Sequence, residues 1–279
     1  MPSRHEYILS KTSNLPSGNI LVLAPHADDE VIGCGGTIVG HVQKNNPVKI
    51  IIMTDSCHGD FDGVFGKEYV KLVEEETRAA AFTLGIKDLE LWQYPDRELK
   101  VDTDLIERLL KLLIKYRPSV IYFPSMAESH PDHIAAYELI ARTLPLIDFD
   151  VELYMYEVSM SLIPNIVIDI TDFVEIKKKA LMCYKTQLHY CNYIDKCLGL
   201  NQYRTYCLSK DAKYAEAFLK VDRKNLDGLK EIFDQLKYNI RIEGNWLSNA
   251  FPFLYSYKTW PFRMKASRML KKLGTLCRK

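Results

Sequence analysis

Two short stretches concentrate the residues able to do chemistry. In 26-HADDE-30, one imidazole and three carboxylates fall within five positions; in 129-SHPDH-133, two histidines flank an aspartate. Carboxylates crowded in this way repel one another unless positive charge sits among them. His26 and Asp29 are three apart, so at a turn entering a helix both side chains can face one point, and His133 can supply a third ligand. Two imidazoles and one carboxylate with an open position suit a catalytic zinc ion, one per chain, with Fe2+ or another divalent ion on the same ligands as the alternative. Such an ion offsets the repulsion and lowers the pKa of a water to about 7. Asp28, left over from the ligand count, reads as the general base. His130 and Asp132 form a His-x-Asp pair: the carboxylate orients the imidazole and favours its charged form, which suits stabilising an oxyanion or protonating a leaving amine. Base, cation and acid together describe a hydrolase for an amide or ester carbonyl.

The elements that must position these groups are legible from patterning. Short, continuously apolar, β-branched runs at 19–24, 48–54, 89–93, 118–124, 151–158 and 165–170 alternate with helix-like segments at 30–44, 67–85, 103–116, 132–143 and 172–186. Continuous rather than alternating apolar strands indicate a sheet covered on both faces, and the βαβα order indicates a mostly parallel, doubly wound, Rossmann-like α/β sheet. Near residue 187 this rhythm stops, so residues 1–219 are expected to form the main domain and 220–279 a mostly helical, basic and aromatic extension. In an open parallel sheet, ligands bind beyond the carboxyl ends of the strands. Both clusters follow strands there, so they converge on one edge. The glycines 33, 35 and 36 arrive too late after the first strand for a phosphate turn, which argues against a nucleotide-dependent oxidoreductase and for close helix–sheet packing.

PHADDE followed by SHPDH resembles the paired signatures of the PIG-L/LmbE-like N-acetylglucosamine de-N-acetylase family. The resemblance continues in order through 33-GCGGT-37, 75-EETRAAAFTLGI-86, 94-YPD-96, 169-DITDFVEIKKKAL-181 and 214-YAEAF-218, covering roughly residues 18–220. It implies a zinc-dependent enzyme that removes the acetyl group from a GlcNAc-type sugar within a glycoconjugate and releases acetate. His26, Asp29 and His133 match the family's zinc ligands, Asp28 its base, and His130 its transition-state-stabilising histidine, with Asp132 as orienting partner. An amidase of a sugar–thiol conjugate and a catalytically silent sugar-binding module of the same fold are the alternatives. Glu128 stands where some members carry a carbonyl-polarising tyrosine, and Val73, with Lys71 and Arg78 nearby, stands where several carry a substrate-binding arginine. Asp55, Asp96, Arg97 and Glu128 are the remaining candidates for contacting substrate, whereas Cys57 and His58 read as a polar loop.

Composition bounds the rest. With 279 residues, 47% apolar and 26% charged, the chain is of ordinary globular make-up, and its net charge of +1 shows no nucleic-acid-binding surface. Seven cysteines without a CxxC pair indicate reduced thiols, and with no signal-like or membrane-spanning run the expected location is cytoplasmic. Residues 260–279 hold seven cations and no acid, so 251–279 offers either a packing stripe or a peripheral contact with the inner membrane surface. The oligomeric state has no sequence signal.

Overall fold

The computed structural model describes residues 10–11 and 15–226. The chain divides after Phe233, and every described element belongs to the first unit. In chain order its elements are β1 (Ser10–Lys11), β2 (Ile20–Ala24), α1 (Asp29–Gln43), β3 (Val48–Thr54), α2 (Tyr69–Leu84), β4 (Asp88–Tyr94), α3 (Thr103–Tyr116), β5 (Val120–Pro124), α4 (Pro131–Thr143), β6 (Glu152–Tyr156), β7 (Ile166–Asp169), α5 (Val174–Leu181), α6 (Lys185–Tyr190), α7 (Tyr193–Tyr203) and β8 (Ala215–Val221). They build one eight-stranded sheet in the order β1-β7-β8-β6-β5-β2-β3-β4. All neighbours are parallel except those of β8, which runs antiparallel to both β6 and β7.

Side-chain alternation explains why the strands read as unbroken apolar runs. On β2, Ile20, Val22 and Ala24 join a core with α1, α2 and α5, while Leu21 and Leu23 face the opposite core with α3 and α4. Both faces are dry, so each position is apolar. The strand–helix rhythm does not stop at residue 187, contrary to expectation: α6, α7 and β8 follow, and the helix expected over 172–186 is two helices, α5 and α6. The expected domain boundary at 219/220 falls inside β8. Everything beyond residue 226, the 251–279 tail included, lies outside the described residues. Among the described residues no helix is long and apolar enough to cross a membrane, and six cysteines are unbridged.

Helix α1 is broken inside, at Cys34 (φ −146°, ψ 22°). The glycines around it sit against the sheet. A methyl group on Gly33 would overlap the Tyr156 ring of β6, and one on Gly36 would come within 2.7 Å of Ile170. The break frees backbone groups that a continuous helix would pair, and a buried ion pair takes them over. Glu216 of β8 accepts from the Gly36 and Thr37 amides at 2.8 Å each, while Lys177 Nζ of α5 donates to the Ile32 carbonyl at 2.9 Å. The two side chains meet at 2.6 Å, both fully buried. Losing one member strands a buried charge and reopens the helix ladder. Lys177→Met is therefore expected to lower the unfolding free energy by about 3–5 kcal/mol in urea titrations, and a loss below about 1 kcal/mol would rule out this role for the pair.

Candidate active site

The turn after β2 is pinned before it turns. Thr54, at the end of β3, donates to the Pro25 carbonyl through its amide (2.9 Å) and its hydroxyl (2.8 Å). Asp28 then adopts φ 99°, a left-handed conformation that costs a non-glycine residue on the order of 1–3 kcal/mol. The strain is held from behind: the Asp28 amide donates to Glu30 Oε2 (3.2 Å), and the buried Tyr184 hydroxyl donates to Glu30 Oε1 (2.5 Å). The result turns His26 and Asp29 to the same side, with the His26 amide donating to Asp29 Oδ2 at 2.8 Å.

The second cluster arrives from β5. His130 caps α4, its Nδ1 accepting from the Asp132 amide at 3.3 Å, and Pro131 opens the first turn. A neutral His130 thereby carries its proton on Nε2. His133, one turn into the helix, points at the first cluster. His26 Nδ1 lies 3.2 Å from His133 Nε2 and 3.3 Å from Asp29 Oδ2, and His133 Nε2 lies 3.1 Å from Asp29 Oδ2. These three atoms form a near-equilateral triangle. A tetrahedral ion with bonds of about 2.0–2.1 Å separates its ligand atoms by about 3.3 Å, so two imidazoles and one carboxylate oxygen fit a small divalent cation. His130 also comes within 4.8 Å of His26 and His133. With His26, Asp96 and Asp132 it forms a second such group, and its Nδ1 accepts the helix-cap bond.

The far side of His26 carries a second group of carboxylates. Nε2 lies 3.2 Å from Asp96 Oδ1 and 3.1 Å from Asp132 Oδ2. Asp132 is itself fixed by the amides of Arg97 (2.7 Å) and Leu99 (3.3 Å). Asp96 accepts from the His58 amide at 3.2 Å, and its own amide donates to Asp55 Oδ1 at 3.1 Å. When His26 is neutral, acceptors behind Nε2 favour the tautomer that leaves the Nδ1 lone pair facing the triangle.

The charges follow from this crowding. Burial opposes charging His26, but hydrogen bonds to Asp132, Asp29 and Asp96 outweigh it and hold its pKa well above the ordinary value. Burial likewise opposes charging His133, but Asp29 raises it to about 9. The same contacts hold Asp29 well below the usual carboxylate range against its burial. Asp28 goes the other way: burial, then repulsion from Asp29 and Glu30, pushes it well above the ordinary range. Glu30 rises to about 7, mainly through burial.

Three expectations are corrected. Asp132 does not orient His130: its carboxylate is 4.0 Å from His130 Nδ1 and serves His26 and the 97–99 backbone, whose amides compete more closely. His130 is not favoured in its charged form either, because burial and the neighbouring His26 and His133 push it down to about 3. Glu128 is fully buried, bound to the amides of residues 158–160, and so faces the protein rather than a substrate. Asp55 Oδ1 is occupied by the Cys57 and Asp96 amides, and Arg97 is half-buried at the rim with its amide on Asp132. Val73 belongs to the core. Cys57 is raised to about 11, chiefly by burial; His58 stands beside Asp96 at 3.9 Å. Sequence patterning gave no sign of Tyr184 or of the supporting part played by Glu30. Glu30 lay within the first motif, but nothing local links it to a tyrosine 154 positions away.

Comparison with known proteins matches residues 21–144, which contain both clusters and Asp96, to the family model PIG-L: GlcNAc-PI de-N-acetylase. A diacetylchitobiose deacetylase of Thermococcus kodakarensis is 29% identical over 191 residues, covering 60% of this chain and 69% of the relative. A probable N-acetyl-alpha-D-glucosaminyl L-malate deacetylase of Bacillus anthracis is 28% identical over 184 residues, covering 61% and 81%. Among solved structures, the inhibitor complex of N,N'-diacetylchitobiose deacetylase from Pyrococcus horikoshii superposes with a TM-score of 0.66 at 25% identity, covering 74% of this chain and 85% of that one. Residues 21–144 of this chain, the segment that holds the whole histidine–carboxylate cluster, are thus the part that matches the PIG-L family model.

Proposed function

We propose that this protein is a zinc-dependent hydrolase that removes the N-acetyl group from a GlcNAc-type amino sugar within a larger glycoconjugate, releasing acetate. The observation that carries the reading is the triangle of His26, Asp29 and His133, with the buried carboxyl of Asp28 beside Asp29 and two residues from His26 in the chain. Support for the substrate class comes from the relatives, whose names share an N-acetylglucosamine-type unit and differ in what is attached to it. His26, Asp29 and His133 would hold a divalent cation, which would supply positive charge to polarise the acetyl carbonyl and acidify water.

The chain's own residues divide the proton work. With a cation offsetting the charge of Asp29 beside it, Asp28 would be ionised and would take a proton from the attacking water, whose oxygen bonds to the acetyl carbon. The ring of His130 lies 4.3 Å from that of His26 and 5.5 Å from that of His133, and its neutral Nε2–H donates to the oxygen that gains charge. Because His130 is held neutral, it has no spare proton for the leaving nitrogen. Asp28 then delivers the proton it took as the carbon–nitrogen bond breaks, leaving acetate and the free amine.

The direct test is acetate release from free GlcNAc, N-acetylated disaccharides, nucleotide sugars and lipid-linked glycosides. Turnover on one class that falls by about 10²–10⁴-fold in Asp28→Asn supports the reading; equal turnover by the variant rejects Asp28 as base. The same variant is expected to gain stability when metal-free. Asp28 has a folded pKa above its unfolded value of about 3.9, so its carboxyl costs stability increasingly as pH rises above that value. Asp28→Asn should therefore melt higher at pH 7–8, by roughly 2–4 °C per kcal/mol relieved, with the gain vanishing near pH 4.

Cation affinity should also depend on pH. His26 and His133 are pulled toward their protonated forms, so a bound cation displaces those protons. Affinity measured by chelator competition is expected to climb between pH 6 and 8, by up to about a hundredfold per unit for two displaced protons, and to flatten once His133 has titrated, near about 9. A pH-independent affinity over that range would exclude these imidazoles as ligands.

A further inference from the structure

Glu128 ends its side chain between the loop after β6 and the histidine cluster. On one side its carboxylate accepts from three successive amides of that loop: Val158 (2.8 Å), Ser159 (3.1 Å) and Met160 (3.2 Å). On the other, Oε2 stands 3.6 Å from Nδ1 of His133. That nitrogen is buried and has no hydrogen-bond partner, one of three such side-chain atoms among the described residues. The loop is fastened at its far end as well. Arg204 forms a two-point ion pair with Glu157 (2.9 and 2.5 Å) and donates to the Leu162 carbonyl at 2.9 Å, while the Leu162 amide donates to Glu157 at 3.0 Å.

The chemistry of an imidazole ties these contacts together. When Nε2 of His133 gives its lone pair to a cation, the remaining ring proton must sit on Nδ1. The acceptor facing that proton is Glu128 Oε2, and closing the 3.6 Å gap needs a movement of less than 1 Å to reach hydrogen-bond distance. A carboxylate behind a ligating histidine fixes the ring plane and strengthens the ring as a donor to the metal. His26 already has two such carboxylates, Asp96 and Asp132; His133 has Glu128.

The geometry points to Glu128 as a positioning residue that holds the cation ligand His133 and the 158–160 loop as one unit, so that cation binding and ordering of that rim loop stabilise each other. The inference rests on the cation-binding part of the proposed function and on no step of deacetylation. Binding linkage is reciprocal: whatever the cation contributes to the loop, the ordered loop returns to cation affinity. The carboxylate acts through His133 and needs no contact with substrate.

The experiment uses the full chain and Zn2+ itself, without substrate. Zn2+ affinity is measured by chelator competition for the wild-type protein and for Glu128→Gln, which keeps a carbonyl oxygen for the loop amides but places a weaker acceptor behind His133. Amide hydrogen exchange of residues 158–160 is followed with and without Zn2+. Expected are a 10–100-fold weaker Zn2+ affinity in Glu128→Gln, of the order found when partners of metal ligands are lost, and a roughly tenfold Zn2+-induced slowing of loop exchange that the variant loses. An affinity within threefold of wild type overturns the proposal, whether or not the variant is less stable. If the variant does not fold, the wild-type exchange data decide: loop amides indifferent to Zn2+ overturn it. A wild-type chain that binds no Zn2+ overturns both this inference and the cation site, whereas Zn2+ binding without acetate release leaves this inference standing and removes only the reaction.

Discussion

Everything at the strand edge depends on His26 using both of its ring nitrogens. Nδ1 faces Asp29 and His133; Nε2 faces Asp96 and Asp132. One imidazole thus joins two groups of carboxylates that would otherwise only repel each other. The loops after β2, β4 and β5 converge because each gives this ring a contact. Remove the ring, and four acidic or basic side chains from three loops lose their common partner.

That arrangement is held under load. Asp28 sits at positive φ, Asp28 and Glu30 are buried acids raised by burial and by neighbouring negative charge, and α1 is broken just beyond them. The support comes from far along the chain. Tyr184 seizes Glu30, and Lys177 with Glu216 closes the helix break that lets Gly33 lie flat on Tyr156. Strained backbone and unfavourable charge persist only where the surroundings over-determine them, and such places are commonly functional. Strand β8 matters here for more than sheet closure: wedged antiparallel between β6 and β7, it brings Glu216 to the broken helix.

The carboxylates are chemically alike and are told apart by surroundings. Asp29 accepts from two imidazoles and is held charged; Asp28, buried among like-charged neighbours, retains its proton to higher pH. Asp96 and Asp132 are tied to backbone amides behind His26, and Glu128 to amides behind His133. Five acids around one site therefore meet three different surroundings without any change in residue type. Differences of this kind are how a single fold makes chemically like groups behave differently.

Sequence by itself determined the local chemistry. The spacing of His26, Asp28 and Asp29 is decided within one turn, and the unbroken apolar runs of β2, β3 and β5 require a sheet covered on both faces, so the two motifs had to meet at its carboxyl edge. Glycines 33 and 36 were readable as close-packing positions for the same reason. Tertiary structure alone decided the partnerships. Asp132 lies two residues from His130 but serves His26, 106 positions away, because the pleat and helix phase aim its carboxylate there rather than along its own backbone. β8 carries no strand signal in the sequence because its buried Glu216 interrupts the apolar run; that acid is tolerable only because Lys177 and two helix amides converge on it. Glu128 looked like a substrate contact for the same reason: a short polar motif states which groups are present, and only folding states which neighbours they must satisfy.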